Sequence, residues 1–169
     1  ERLRGRHVRC RANALDYCAR LPKTAIMIAE DVARHLGGRE SLGREVETEL
    51  DLVRLVRSGL PPSALETVIE HGVLSRPEAE RLIIPRRTLS HRKRRGETLT
   101  TDESDKLARV VRVAALAEET FQDEEKARGW LRESNRALGG ERPLDLLETE
   151  GGARLVEQIL GRIAHGVFS

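Results

Sequence analysis

The chain has 169 residues, 38% hydrophobic and 34% charged, a composition that allows one modest core or two small ones and does not fit a membrane protein. No run approaches the roughly 18 apolar residues that a bilayer span requires, and only 2% of residues are aromatic, so the core must be aliphatic and packed helices are favoured over a β-sandwich. Thirty basic residues nearly cancel 28 acidic ones, yet the two signs are segregated along the chain, and that segregation carries more information than the net charge.

The N-terminal twenty residues are basic, with Arg2, Arg4, Arg6, Arg9, Arg11 and Arg20, and show no clean period; they read as an arm. Residues 23–36 follow the 3.6-residue period through Ala25, Ile28, Ala29, Val32 and Leu36, which predicts a helix stopped by Gly37-Gly38. Val46, Leu50, Val53 and Val56 form the next apolar face and lead to Gly59. Pro61-Pro62 opens a short helix with Leu65, Val68 and Ile69 inward. Ser75 and Glu78 have capping-box spacing and start a helix with Ala79, Leu82 and Ile83 inward. Pro85 ends that helix and opens another over 86–95, with Thr88 and Leu89 inward and Gly96 as its stop.

Thr100 and Glu103 form a second capping box at the start of the longest helix, whose stripe is Leu107, Val110, Val111, Ala114 and Ala117 or Phe121. Asp123 caps a helix that turns Ala127, Trp130 and Leu131 inward. Gly139-Gly140 breaks it, 143–149 fits one short helix, and Gly151-Gly152 reads as a further break. The last helix, 153–164, has Val156, Ile159, Leu160 and Ile163 inward, followed by Gly166 and the tail Val167-Phe168-Ser169. With no alternating strand, the expected fold class is all-α, about nine short helices.

One pair of helices carries the sharpest chemistry. The segment 86–95 holds Arg86, Arg87, Arg92, Lys93, Arg94 and Arg95 with no acid, and it follows the preceding helix after a tight turn. That is a helix-turn-helix plan, in which one helix braces and the next enters the DNA major groove. Arg86, Arg87, Ser90 and His91 lie early in the second helix, where base edges are met. Lys93 and Arg94 near its end suit phosphates. Pro85 stands where the turn glycine of such a motif is usual. The lack of aromatic rings argues against single-strand binding by stacking.

Catalytic groupings are missing from the sequence. His7, His35, His71, His91 and His165 are scattered, and His7 with Cys10 and Cys18 lacks the fourth ligand and the spacing of a zinc site. Glu118-Glu119 and Asp123-Glu124-Glu125 read as a solvated face, and no glycine pair precedes Lys-Ser/Thr as a phosphate loop would require. No cofactor, no metal and no enzymatic activity are expected. Two cysteines without a CxxC pattern, and no apolar leader after a basic start, point to a reducing cytoplasm. Phe168 is a large aromatic beside a glycine near the end of the chain; it either folds back or inserts into a partner.

Residues 99–169 resemble the C-terminal region of the Xre/MbcA/ParS family of bacterial antitoxins. The matching stretches are Glu103-Ser104-Asp105-Lys106-Leu107, Ala127-Arg128-Gly129-Trp130-Leu131, Asn135-Arg136-Ala137-Leu138-Gly139-Gly140, Pro143-Leu144-Asp145-Leu146-Leu147, Thr149-Glu150-Gly151-Gly152-Ala153 and His165-Gly166-Val167-Phe168-Ser169. Upstream, Gly59-Leu60-Pro61 and Pro85-Arg86-Arg87-Thr88-Leu89 resemble that family's Xre-type DNA-binding region. The resemblance implies three segments: a basic arm and helix over 1–35, a helix-turn-helix region over 36–98, and a helical toxin-binding domain over 99–169.

It further implies an antitoxin whose partner is a RES-domain toxin that depletes NAD. The C-terminal region would obstruct the toxin's active-site cleft through Arg154, Arg162, His165, Gly166, Val167, Phe168 and Ser169. The helix-turn-helix would bind operator DNA of the antitoxin's own operon, as a homodimer within a larger toxin–antitoxin complex. A stand-alone transcriptional regulator, with the C-terminal helices used for dimerisation or a small effector, is the alternative.

Overall fold

The computed structural model describes residues 23–166, with side chains from Ala29 onward. The expected arm, Cys10, Cys18, and the tail Val167-Phe168-Ser169 lie outside the described residues. Within them the chain is all-α, without a strand. The helices are α1 (Lys23–His35), α2 (Gly38–Leu42), α3 (Glu49–Ser58), α4 (Pro62–Glu70), α5 (Arg76–Leu82), α6 (Arg86–Arg95), α7 (Thr101–Phe121), α8 (Glu124–Arg132), α9 (Pro143–Leu146) and α10 (Glu150–Ala164), with a 3₁₀ turn over Arg136–Leu138.

The 21-residue α7 is the spine of the molecule. Leu107, Val110, Val111, Ala114 and Ala117 are buried as the periodicity predicts, but so are Ala108, Val113 and Ala115. A helix apolar on so many sides is enclosed by neighbours, and α1, α3, α8 and α10 all pack on it. One hydrophobic cluster runs continuously from Val32 to Leu160, with half-buried Phe121 and Trp130 packed against it. Their rings meet at 5.7 Å, inclined by 46°, within the range of favourable aromatic pairs.

The helix starts are set locally. Ser75 and Thr100 each accept from the backbone N–H three residues on, and Glu78 and Glu103 reach back to the cap N–H, completing both capping boxes. Asp123 Oδ1 accepts from Lys126 N–H and starts α8. The link between α3 and α4 is fastened to α7: Leu60 N–H donates to the buried Ser104 hydroxyl at 2.9 Å, and Leu99 N–H donates to the Leu60 carbonyl at 2.8 Å. Gly59 sits beside this junction at φ 87°, where a Cβ would lie 2.5 Å from the Leu99 carbonyl oxygen; only glycine meets both requirements.

Four expectations are corrected. On α3 the buried residue is Leu55, while Leu50 and Val53 are 56% and 45% exposed. Five of its ten residues are apolar, so the helix can present more than one apolar stripe, and α7 takes the one containing Leu55. Thr88 is exposed on α6, leaving Leu89 as the apolar contact. A short helix, α2, follows Gly37 rather than a simple stop. Gly151 and Gly152 lie inside α10 instead of breaking it: the Thr149 hydroxyl accepts from Gly152 N–H and caps the helix before both glycines.

Candidate nucleic-acid interface and partner-binding helix

Only Ile83, Ile84 and Pro85 separate α5 from α6. Ile83 and Ile84 are buried, and their N–H groups both donate to the Ala79 carbonyl, so two side chains pin the turn to the core. Pro85 caps α6 at φ −58° and ψ 140°. This turn is made without a left-handed residue, which explains how proline can replace the expected glycine.

At 100° per residue, Arg86, Arg87, Ser90, His91 and Arg94 fall within an arc of about 140° on α6, and all five are exposed. Leu89 and Arg92 occupy the opposite side. The arginines of this helix therefore divide by role. Arg92 turns inward: it donates to the Thr98 carbonyl at 3.1 Å and to Glu103 Oε1 at 3.3 Å, fastening α6 to the start of α7. Lys93, expected to meet phosphate, has its Nζ 2.8 Å from both Glu66 oxygens; this exposed pair is held weakly enough to exchange for another anion. Arg95 pairs with Glu97 at 3.0 Å. Arg86, Arg87 and Arg94 make no ion pair among the described residues.

Two ion pairs join this DNA-binding plan to the C-terminal helices. Arg132 on α8 donates to both oxygens of Glu78 on α5, each at 2.9 Å, and to the Val73 carbonyl at 3.2 Å. Arg81 on α5 meets Asp145 on α9, which Arg142 also holds. Burial opposes ionisation of Glu78, but hydrogen bonds from Arg132 and Ser75 outweigh it and hold the carboxyl below its usual range. Asp145 is held low in the same way, with Arg142 and Arg81 overcoming burial.

The other predicted residues lie on or after α10. Val156, Ile159 and Leu160 are buried, and the helix presents Arg154, Arg162 and His165 on its exposed side, with Gly166 following at φ 65°. Val167, Phe168 and Ser169 are outside the described residues. Arg154 is 3.4 Å from Glu150, which also receives Arg109 at 3.2 Å and Arg112 at 3.6 Å. The structure does not bring α6 and α10 together; they present separate surfaces.

Sequence reasoning missed Leu155, which is 52% exposed at the edge of that outer face, beside Arg162. Its signal was legible: it is an apolar residue off the inward stripe of 156, 159, 160 and 163. It also missed His35, buried against Glu118 with 3.0 Å between Nε2 and Oε2. Among the described residues no group of three His, Cys, Asp or Glu side chains is placed to hold a metal ion, and no helix is long and apolar enough to cross a membrane.

Comparison with known proteins matches two domains along the chain. The antitoxin Xre-like helix-turn-helix domain matches residues 51–112, and the antitoxin Xre/MbcA/ParS C-terminal toxin-binding domain matches residues 116–166. Both matches share α7, one taking its first half and the other its end. The chain is 35% identical to Antitoxin Xre of Pseudomonas putida over 72% of this chain and 76% of that protein. It is 38% identical to Antitoxin Xre of Yersinia enterocolitica over 70% of this chain and 81% of that protein. A more distant relative is the Prs ADP-ribosylating antitoxin of a Sphingobium species, 24% identical over 71% of this chain and 82% of that protein.

Proposed function

The chain belongs to the Xre/MbcA/ParS family of antitoxins, and from that premise we propose that it neutralises a RES-domain, NAD-depleting toxin and represses its own operon. The observation that carries the reading is the pairing of two exposed, physically separate faces on one spine. The arginine face of α6 lies within the matched helix-turn-helix domain, and the outer face of α10 lies within the matched toxin-binding domain. Neither role requires catalysis by this chain. Neutralisation needs the C-terminal residues Arg154, Arg162, His165, Gly166, Val167, Phe168 and Ser169 to occupy the toxin's cleft. Repression needs Arg86, Arg87, Ser90, His91, Lys93 and Arg94 to face operator DNA, with Lys93 leaving Glu66 for phosphate.

Both activities belong to the cytoplasm, where the operon and NAD are found. Operators read by such helices are two-fold repeats that match protein dimers. Exposed Leu50 and Val53, beside a groove of about 550 Å³ between α3 and α7, support pairing of two copies. Co-expression tests the reading. The product of the adjacent gene arrests growth when expressed alone, the full chain restores growth and co-purifies with it, and the same chain retards DNA from upstream of the operon. Growth arrest that persists despite a soluble full chain contradicts the proposal.

A further inference from the structure

The direction of α6 is inherited largely from α5. Its inward contacts are the half-buried Leu89 and Arg92, and three residues tie it to α5, two of them buried and hydrogen-bonded to the Ala79 carbonyl. α5 is itself only seven residues long, with Ala79 and Leu82 buried. Apolar burial is not directional, so hydrogen bonds have to set the orientation of so short a helix.

Those hydrogen bonds come from the other matched domain. Arg132 on α8 grips Glu78 with two donors, Nε to Oε1 and Nη2 to Oε2, each at 2.9 Å. Its Nη2 also donates to the Val73 carbonyl, in the link that leads to α5, and its Nη1 to the Arg128 carbonyl on α8 itself, both at 3.2 Å. A guanidinium anchored to its own helix and paired through two parallel bonds fixes angle as well as distance. Glu78 is also the carboxylate that accepts from Ser75 N–H at 2.7 Å and completes the cap of α5. Three residues on, Arg81 meets Asp145 of α9. Residues three apart share a helix face, so α8 and α9 hold α5 at two points on one face. Arg132 and Asp145 both lie in the segment matched as a toxin-binding domain.

We infer that Arg132, seconded by Asp145, is a positioning residue for DNA recognition: the C-terminal domain sets the angle at which α6 meets the major groove. The inference rests on the DNA-binding half of the reading above and extends it to residues outside the helix-turn-helix. Its consequence is selective. Attraction between the α6 arginines and phosphates is independent of sequence and tolerates a small rotation of the helix. Contacts with base edges require hydrogen-bond geometry and do not tolerate it. Loosening the clamp therefore lowers affinity for the operator and spares affinity for unrelated DNA.

The test measures binding of the full chain to DNA from upstream of its operon and to an unrelated duplex of the same length, at a temperature where circular dichroism shows each variant folded. Arg132→Gln lowers operator affinity about tenfold and leaves affinity for the unrelated duplex, and its salt dependence, unchanged. Asp145→Asn has the same effect to a smaller extent, because its partner Arg81 is exposed. Combining Arg132→Gln with Glu78→Gln costs operator binding little more than either change alone, since both break one pair. Wild-type operator affinity in a chain carrying both Arg132→Gln and Asp145→Asn overturns the inference. Equal loss on the two duplexes also overturns it, as the mark of a fold that is merely destabilised. Where Arg132→Gln does not fold, Asp145→Asn and Arg81→Gln decide by the same two criteria. A wild-type chain with no preference for the upstream DNA removes the repression reading and this inference with it.

Discussion

Six cations crowd the ten residues of α6, and their surroundings give them different tasks. Arg92 is an internal tether to Glu103 and Thr98, whereas Arg87 and Arg94 project from the exposed arc. Each phosphate contact contributes about 0.9 to the salt slope of DNA binding. Arg87→Ala combined with Arg94→Ala should therefore reduce that slope by up to about 2 and weaken operator binding, while toxin binding is unchanged; mobility shifts at several salt concentrations measure it. Equal loss of both activities would contradict two separable surfaces. The sequence disclosed the cations but not this division, because Glu103 and Glu66 become their partners only when α4, α6 and the start of α7 pack together.

Glu78 makes stability depend on pH. Its folded carboxyl ionises at lower pH than in the unfolded chain, so its stabilisation is complete above the ordinary value of 4.5 and is lost as pH falls through the lower, folded value. Glu78→Gln should be less stable than wild type at pH 7, and the difference should shrink on acidification, as followed by denaturant midpoints. A gap that does not change with pH would contradict this assignment.

Among the elements, those with their own signals were legible and those fixed by neighbours were not. Both capping boxes and the stripe of α7 follow from spacing alone. The rotation of α3 does not, since its apolar residues fit two faces and only contact with α7 selects Leu55. Gly151-Gly152 resembled a break because glycine is a common helix stop, but Thr149 supplies the cap and Leu146 supplies the reason for Gly152. The backbone oxygen of Leu146 cannot move aside as a flexible side chain would, so Gly152→Ala should cost about 3 kcal/mol or more, read as a lower denaturant midpoint. A midpoint equal to wild type would mean that α9 and α10 are not packed as described.

At the scale of the molecule, the two matched domains share one helix and one core. Arg132 reaches Glu78 across 54 residues of sequence and Arg81 reaches Asp145 across 64, pairings that no local pattern announces. The DNA-binding plan and the C-terminal helices are thus a single packed body, although their working faces are apart. Among the described residues, α3 presents Leu50 and Val53 as an exposed apolar pair. If two copies join there, Leu50→Glu with Val53→Glu should convert dimers to monomers in sedimentation experiments and weaken operator binding. A dimer that survives both substitutions would place the two-fold contact elsewhere.

We propose that this chain silences an NAD-depleting toxin by directly occupying it. The most direct measurement is NAD loss catalysed by the purified product of the adjacent gene, with the full chain titrated against it. NAD loss should fall to background as the chain reaches stoichiometric amounts. Unchanged NAD loss in excess chain would contradict it and turn attention to a regulator that acts through DNA alone.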